Sequence, residues 1–441
     1  MIDPSAIRRT TLENGLMLVS ERISTVRSAS IGVWVKMGSR DESEALNGVT
    51  HFLEHMLFKG TLSRNTRQIA VAIDSMGGQL DAFTSRENAC YYAMVLDEHL
   101  ADALDLLADL VTNPRLNPEE LERERGVVLE EIASAEDDPE DLLFETFLSR
   151  FWSGHPMGRP ILGTRDTVRS FTPDLLRHQV RAIAPGDLLV AAAGNLHHEE
   201  LEALVREHFG ALPELESTRE RVAPSCQPHF TIIPSRDLEQ VQLYVACEAP
   251  STAEPVRYGA HVFNTLLGGS VSSRLFQSIR EERGLAYSVY SSLSGYSDTG
   301  YLWISAGTGP ESVPLVFELI VQELDRLRQE PIAPDELARV KEHLKGGLML
   351  SLENTFGRMA NLARQEMTFG RTFSLDEILA GIDAVSIDDV QSIANRLFDP
   401  STLSAGLIAR RQVADELRSR YADGLRLPDG ARLCPDEGLL A

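Results

Sequence analysis

Two histidines and a glutamate interrupt an otherwise apolar run in VTHFLEHMLF, residues 49–58. Apolar side chains fall on every side of a 3.6-residue period, which predicts a buried helix. We expect Asn47 to cap its start and Gly60 to end it. A buried helix does not carry three ionisable groups without compensation, because an unpaired buried charge costs several kcal/mol. A divalent cation would compensate them.

The spacing of the ionisable groups favours a metal site. His51 and His55 lie about 40° apart around a helix, so both can present a nitrogen to one point, and Glu54 falls on the same face. His-x-x-Glu-His is the inverted zincin motif, in which the histidines bind Zn²⁺ and the glutamate acts on the metal-bound water. The alternative is a pair of core histidines hydrogen-bonded to Glu54 with no metal.

A catalytic zinc site needs a third protein ligand and an open fourth position. A helix is predicted from Pro118 to Ala135, with acids near its positive end. Glu124 and Glu131 are seven residues apart and fall within its apolar arc. Two acids on a buried face are candidates for a metal ligand and an acid that supports the ligands. The alternative is a helix edge with partly exposed glutamates.

The segments 48–61 and 124–132 closely resemble the pitrilysin/insulinase family of zinc peptidases. Within that family they are most similar to the mitochondrial processing peptidase type and its bacterial relatives. The resemblance implies one Zn²⁺ per chain. The roles that it implies are zinc ligands His51, His55 and Glu131, general base Glu54, and supporting acid Glu124.

A further segment, GGQLDAFTS at 77–85, resembles the edge strand of the family, which binds substrate by adding the extended peptide as another strand. This resemblance implies substrate contacts from Asp81, Ala82, Phe83 and Thr84. The family usually has asparagine at the position of Asp81. The carboxylate at this position indicates a preference for basic peptides.

The second half of the chain contains a segment, 267–287, that resembles the substrate-clamping segment of the family. Arg280 and Tyr287 match the arginine and tyrosine that contact the substrate backbone near the scissile bond, where donors stabilise the developing oxyanion. The alternatives are a helix-surface charge for Arg280 and a core strand residue for Tyr287.

An internal repeat with an offset near 210 residues relates the two halves. The strand-like run 31–37 recurs as 241–247, and 48–58 recurs in pattern as 258–268. The residues at the repeat's zinc positions are His261, Asn264 and Thr265, so we predict that the second copy has no metal site.

The repeat and the element pattern predict an α+β fold of two homologous domains, each a mostly antiparallel sheet packed against helices. We expect a zinc-binding catalytic domain over 1–215. The duplicated domain without a metal, which carries Arg280 and Tyr287, is expected over 228–441. The residues from 428 onward are predicted to form a loose tail.

Composition limits the functional classes. A formal net charge of −24 over 441 residues argues against binding to nucleic acid or anionic membranes, and it favours basic ligands. The four cysteines are too few and too scattered for a zinc knuckle or a disulfide framework, which indicates free thiols in a reducing compartment. No signal peptide or membrane-spanning run is visible, so we expect a cytoplasmic protein.

Together these features predict a zinc metalloendopeptidase that hydrolyses extended or unfolded peptides by Glu-assisted attack of zinc-bound water. Larger relatives enclose a chamber with four such domains. The resemblance therefore implies a homodimer, or a heterodimer with a related chain, in which Arg280 and Tyr287 complete the partner's site. Two alternatives remain: a non-catalytic assembly subunit, and a protease that matures one peptide together with a partner protein.

Overall fold

The structure is a computed structural model that describes residues 6–215, 220–235, 238–398, 402–427 and 432–436. Residues 1–5 and most of the predicted tail, 428–441, lie outside the described residues. Of the helices that the structure describes, none is both long and apolar enough to cross a bilayer.

The described residues form strands and helices whose bounds are as follows. The strands are β1 (Ile7–Thr11), β2 (Met17–Arg22), β3 (Ser28–Val35), β4 (Gln79–Thr84), β5 (Ala89–Leu96), β6 (Leu188–Gly194), β7 (Phe230–Ser235), β8 (Val241–Ala249), β9 (Ala286–Gly295), β10 (Gly300–Thr308), β11 (Ser404–Arg410), β12 (Leu425–Arg426) and β13 (Arg432–Leu433). The α-helices are α1 (Val49–Leu57), α2 (Thr66–Ser75), α3 (Leu100–Thr112), α4 (Pro118–Asp137), α5 (Pro139–Phe151), α6 (Arg165–Ser170), α7 (Pro173–Arg181), α8 (His198–Phe209), α9 (Arg257–Leu267), α10 (Val313–Gln329), α11 (Pro334–Ser351), α12 (Thr355–Phe369), α13 (Leu375–Asp383), α14 (Ile387–Leu397) and α15 (Arg411–Arg420).

The chain folds into two compact units, each assembled from three segments. Unit 1 comprises Met1–Ser134, Arg159–Arg221 and Met349–Leu375. Unit 2 comprises Ala135–Gly158, Val222–Leu348 and Asp376–Ala441. The sequence-based division into 1–215 and 228–441 treats each half as contiguous, whereas each unit here includes a segment from the other half.

The sheet of unit 1 has six strands in the order β1-β2-β6-β3-β5-β4. Only β2 and β6 run parallel, and the other neighbours are antiparallel. The central strand β3 is buried at all but its first residue, because helices cover both faces of the sheet. Its Ile31 and Val33 pack in the cluster that contains Leu104 of α3, while Trp34 packs against Met359 of α12.

The sheet of unit 2 repeats this topology. Its order is β7-β11-β8-β10-β9, with β7 and β11 parallel and the other neighbours antiparallel. Without β1, the first sheet has the same order and the same position for its parallel pair. The predicted duplication and the predicted fold of two mostly antiparallel α+β domains are confirmed.

Two equivalent helices are exchanged between the halves of the chain. Helix α5 belongs to the first half but packs on the unit 2 sheet, where Phe147 lies in one core with Tyr244 and Ile408. Helix α12 belongs to the second half but packs on the unit 1 sheet through Met359 and Leu362. A glycine in each sheet lets the helix pack close to the strand. A Cβ on Gly406 would lie 2.9 Å from the Phe147 ring, and a Cβ on Gly32 would lie 2.8 Å from Met359 Sδ.

Candidate metal centre

Helix α1 carries the histidine motif and is anchored by its apolar residues, as predicted. Phe52, Leu53 and Met56 are buried in one core with residues of α4. The predicted caps are wrong. Gly48, not Asn47, is the N-cap, with φ +91°, and the helix ends before Phe58 rather than at Gly60.

Helix α4 begins at Pro118, as predicted, and presents two acids toward α1. Its buried residues include Leu121, Val128 and Ile132, which form the apolar stripe that packs on α1. Glu124 is only 5% exposed. The side chain of Glu131 is 39% exposed.

Three side chains from α1 and α4 converge at one point. Glu131 Oε2 lies 3.8 Å from His51 Nε2 and 3.5 Å from His55 Nε2. One ligand atom from each of the three residues lies within 4.8 Å of the others. Among the described residues this is the one group of three or more such side chains close enough to share a metal ion.

The geometry fits zinc. Two atoms that each lie about 2.1 Å from a tetrahedral Zn²⁺ are about 3.4 Å apart, which is close to the separations of Glu131 Oε2 from both histidines. Three protein ligands with nitrogen and oxygen donors are also the set of a catalytic zinc site, which keeps its fourth position open.

The partners of His55 favour the tautomer that a metal requires. Its Nδ1 lies 3.2 Å from Glu124 Oε2, so a proton on Nδ1 can be donated to the carboxylate and the lone pair of Nε2 faces Glu131. The other oxygen of Glu124 pairs with Lys59 Nζ at 2.8 Å. The sequence analysis did not identify Lys59, although its position four residues after His55, within the helix predicted to end at Gly60, was a usable signal.

His51 is held in its neutral form. Burial, and secondarily the charge of nearby His55, lower the pKa of His51 to about 4. The rings of the two histidines lie 4.8 Å apart. His51 Nδ1 is buried and has no hydrogen-bond partner among the described residues. A neutral imidazole with a free Nε2 lone pair is the form that coordinates metal.

Glu54 lies on α1 beside this cluster and is partly buried. Burial raises the pKa of its carboxyl, while a hydrogen bond from Thr84 lowers it. The Thr84 hydroxyl donates to Glu54 Oε2 at 2.5 Å. Sequence reasoning assigned Thr84 to substrate binding, and the structure adds this contact with Glu54.

Thr84 ends β4, which is the edge strand of the unit 1 sheet, as predicted. Ser85 N donates to Asn88 O in the turn that follows, which makes 85 and 88 a hydrogen-bonded pair. Since such pairs alternate along an antiparallel ladder, Phe83 and Asp81 also bond to β5, and the backbone groups of residues 80, 82 and 84 face the open side. The Ala82 N–H donates to Asp81 Oδ1 at 2.8 Å, in agreement with this register.

Arg280 and Tyr287 lie in unit 2 and adjoin one another. Arg280 is in a short π-helix, Phe276–Glu281, and Tyr287 is on β9, the edge strand equivalent to β4. The Arg280 guanidinium lies 5.9 Å from the centre of the Tyr287 ring. Tyr287 is 78% exposed, which contradicts the alternative of a core residue.

The family comparison agrees with the fold and the ligand set. The Insulinase (Peptidase family M16) profile matches residues 17–165, and the Peptidase M16 inactive domain profile matches residues 170–344. The chain therefore belongs to the M16 peptidase family. The second profile overlaps the first part, residues 228–344, of the domain that we predicted to be without a metal.

Relatives and solved structures match nearly the whole chain. An uncharacterized zinc protease of Mycobacterium bovis is 43% identical and covers 90% of this chain and 92% of its own. An uncharacterized zinc protease of Bacillus subtilis is 40% identical, and the match covers 89% of this chain and 96% of the relative. A Helicobacter pylori protease structure has a TM-score of 0.84 at 21% sequence identity. The match covers 91% of this chain and 99% of that chain. A Pseudomonas fluorescens structure, named as a peptidase M16 inactive domain, has a TM-score of 0.85 at 19% sequence identity. The match covers 92% of this chain and 98% of that chain.

Proposed function

We propose that the chain is a zinc-dependent endopeptidase that cleaves extended peptides. The observation that carries this proposal is the convergence of His51 Nε2, His55 Nε2 and Glu131 Oε2, with the partly buried carboxylate of Glu54 on the helix of the two histidines. These three residues hold one Zn²⁺. A bound zinc ion supplies the Lewis acidity that activates a water molecule and polarises the scissile carbonyl.

Glu54 performs the proton transfers. Its carboxylate accepts a proton from the attacking water and passes it to the leaving amine. Burial makes the carboxylate a stronger base than an exposed one, and the Thr84 hydroxyl holds one of its oxygens in place. The Glu124 carboxylate orients His55 and is itself neutralised by Lys59.

The substrate adds to the open edge of β4 as a further strand. The outward backbone groups of residues 80, 82 and 84 supply main-chain hydrogen bonds, which accept any extended sequence. Because Thr84 ends this strand and donates to Glu54, a peptide on the edge runs toward the general base. Asp81 on this strand and the net charge of −24 favour basic peptides.

The preference for basic peptides has its own test. An Asp81→Asn variant removes the charge from the edge strand and keeps an amide of similar size. We expect the ratio of kcat/KM between an arginine-containing peptide and its alanine counterpart to fall. An unchanged ratio would exclude Asp81 as the source of the preference.

We propose further that the active assembly is a homodimer in which Arg280 and Tyr287 serve the zinc site of the partner chain. The exposure of Tyr287 and its proximity to Arg280 support this proposal, because an exposed aromatic ring beside a guanidinium is available to a second polypeptide. Mixing an Arg280→Ala chain with a Glu54→Gln chain tests this assembly. Recovered activity supports sharing, and no recovery under proven subunit exchange would contradict it.

The main experiment measures cleavage of extended arginine-containing peptides together with zinc content. The wild type is compared with Glu54→Gln and with a matched control, Glu130→Gln, which changes an exposed acid on α4. We expect wild type and control to cleave, and all three to hold about one zinc per chain. If zinc is bound and nothing is cleaved, the non-catalytic subunit becomes the better hypothesis. If zinc is absent, the proposed metal centre is wrong.

A further inference from the structure

The loop before α1, residues 38–42, buries charged side chains that the mechanism above does not use. Arg40 is 4% exposed and Glu42 is 7% exposed. Burial raises the pKa of Glu42, although backbone N–H groups that bond to the carboxylate oppose this effect. A fold that keeps a carboxylate in such a place must satisfy it with donors.

The donors that satisfy Glu42 belong to the start of the zinc helix. Its Oε2 accepts from Gly48 N at 2.7 Å, and its Oε1 accepts from Thr50 N at 2.8 Å. The Asn47 side chain donates to the same carboxylate at 3.2 Å. Glu42 therefore does for α1 what a capping side chain does for an ordinary helix, from six residues upstream.

Gly48 explains why the cap comes from elsewhere. Its φ of +91° places it in the left-handed region, and a Cβ there would lie 2.6 Å from Leu162 O. A residue with a capping side chain does not fit at this position. The N–H groups of Gly48 and Thr50 at the start of the helix are satisfied by the Glu42 carboxylate instead.

The other end of the loop is fixed to the turn between β4 and β5. Ser39 N donates to Ser85 O at 3.2 Å, and Arg40 N donates to Arg86 O at 2.8 Å. The Arg40 side chain pairs with Glu87 at 2.7 Å. The loop thus connects the end of the substrate strand with the beginning of the zinc helix.

Glu42 is also held from outside the loop. Arg159 Nη1 donates to the Glu42 backbone carbonyl at 3.0 Å. Arg221 forms two hydrogen bonds with the neighbouring Asp41 carboxylate, at 2.9 and 2.8 Å. With both its backbone and its carboxylate bonded, Glu42 is a fixed point against which α1 is oriented.

We propose that Glu42 is a positioning residue of the metal centre, which fixes the first turn of α1 and through it the zinc ligand His51. Thr50, whose N–H bonds to Glu42, directly precedes His51, and α1 has only nine residues. A rotation of its first turn would therefore move His51 relative to Glu131. The inference rests on the proposed zinc function, because it concerns the geometry of that site.

The test measures the zinc dissociation constant of Glu42→Gln by competition with a chelator. Glutamine keeps the size of the side chain but replaces one acceptor oxygen with a donor, so it cannot accept from both Gly48 N and Thr50 N. We expect zinc affinity to fall roughly 10- to 100-fold, the range found when an outer partner of a metal ligand is removed. The matched control is Glu44→Gln, an exposed acid of the same region, which should retain wild-type affinity.

Two further measurements separate positioning from simple loss of stability. The absorption spectrum of the Co²⁺-loaded protein reports ligand geometry and should change in Glu42→Gln but not in the control. The urea unfolding midpoint of the metal-free proteins gives the stability effect alone. If Glu42→Gln does not fold, Glu42→Asp replaces it under the same criterion, because the shorter carboxylate cannot reach both N–H groups.

An unchanged zinc dissociation constant and Co²⁺ spectrum in a folded Glu42 variant would overturn the inference, whatever happens to the unfolding midpoint. A wild-type chain that retains no zinc would overturn the proposed function and this inference together. Tight zinc binding by the wild type without peptide cleavage would refute only the proposed activity, since the metal measurements would still test Glu42.

Discussion

Replacing Ala82 with proline should abolish most peptide cleavage while leaving the protein folded. The Ala82 N–H faces the open side of β4 and donates to the adjacent Asp81 side chain. Proline lacks this N–H, but edge strands tolerate proline where the N–H does not belong to the ladder. The substitution therefore removes a hydrogen bond that an added substrate strand would use and spares the pairing with β5.

The magnitude follows from the number of bonds lost. One backbone hydrogen bond contributes about 0.5–1.5 kcal/mol net, which corresponds to about 2- to 12-fold in affinity. An added strand would lie about 4.8 Å away, so the proline ring also disturbs the neighbouring bond. With two bonds weakened, the loss is about 1–3 kcal/mol, so we expect kcat/KM for an extended peptide to fall about 5- to 150-fold. The free energy of unfolding should change by about 1 kcal/mol or less.

The assay compares wild type, Ala82→Pro and a matched control, Ala82→Ser, on the same fluorogenic extended peptide. Serine keeps the N–H and is close to alanine in size, so the control should cleave at nearly the wild-type rate. Urea unfolding establishes that each variant is folded. A folded Ala82→Pro that cleaves with wild-type kcat/KM would refute strand addition at β4.

Three other predictions concern the site and its support. Thr84→Val removes the hydrogen bond that lowers the pKa of Glu54, so the pKa of Glu54 should rise. The acid limb of the pH profile of kcat/KM should then move to higher pH. The control Thr84→Ser keeps the hydroxyl and should leave the acid limb in place. Glu124→Gln weakens the orientation of His55, and zinc affinity in a chelator competition should fall roughly 10- to 100-fold. Leu362→Ala empties a buried site on α12 and should reduce the urea-derived free energy of unfolding by about 2–5 kcal/mol.

The parts of the site that local pattern specifies were predictable from the sequence. The helical spacing of His51 and His55 puts both on one face of α1, and the seven-residue spacing of Glu124 and Glu131 puts both acids on one face of α4. The family resemblance implied that these residues belong to one site. Periodicity shows that α4 has an apolar face and that α1 is apolar on every side, and residues of the two helices pack in one core. Residues separated by 69 in sequence, His55 and Glu124, are therefore brought within 3.2 Å.

The cap of α1 was not predictable by the same means. Capping rules consider the residue next to the helix and its first turn, and Asn47 satisfies them by type. In the structure Asn47 donates its amide to Glu42 and to Pro160 O instead. Gly48 has a positive φ, and the distant segment at Leu162 and Gly163 leaves no room for a Cβ there, so a residue with a capping side chain is excluded.

The exchange of α5 and α12 was also beyond sequence reasoning. Both helices have apolar faces that suit a sheet, and the two sheets have the same topology. Amphipathic pattern therefore cannot choose between them. The choice depends on particular contacts, such as Gly32 under Met359 and Gly406 under Phe147.

The exchange also imposes an order on biosynthesis. The sheet of unit 1 has all its strands once the ribosome has passed Gly194, but the helix that covers its Trp34 face begins only at Thr355, 161 residues later. At a synthesis rate of about 5–20 residues per second, this apolar face stays uncovered for about 10 to 30 s. A nascent chain of this protein thus exposes an apolar surface to which chaperones can bind. A fragment that contains either half alone lacks the helix that covers its own sheet.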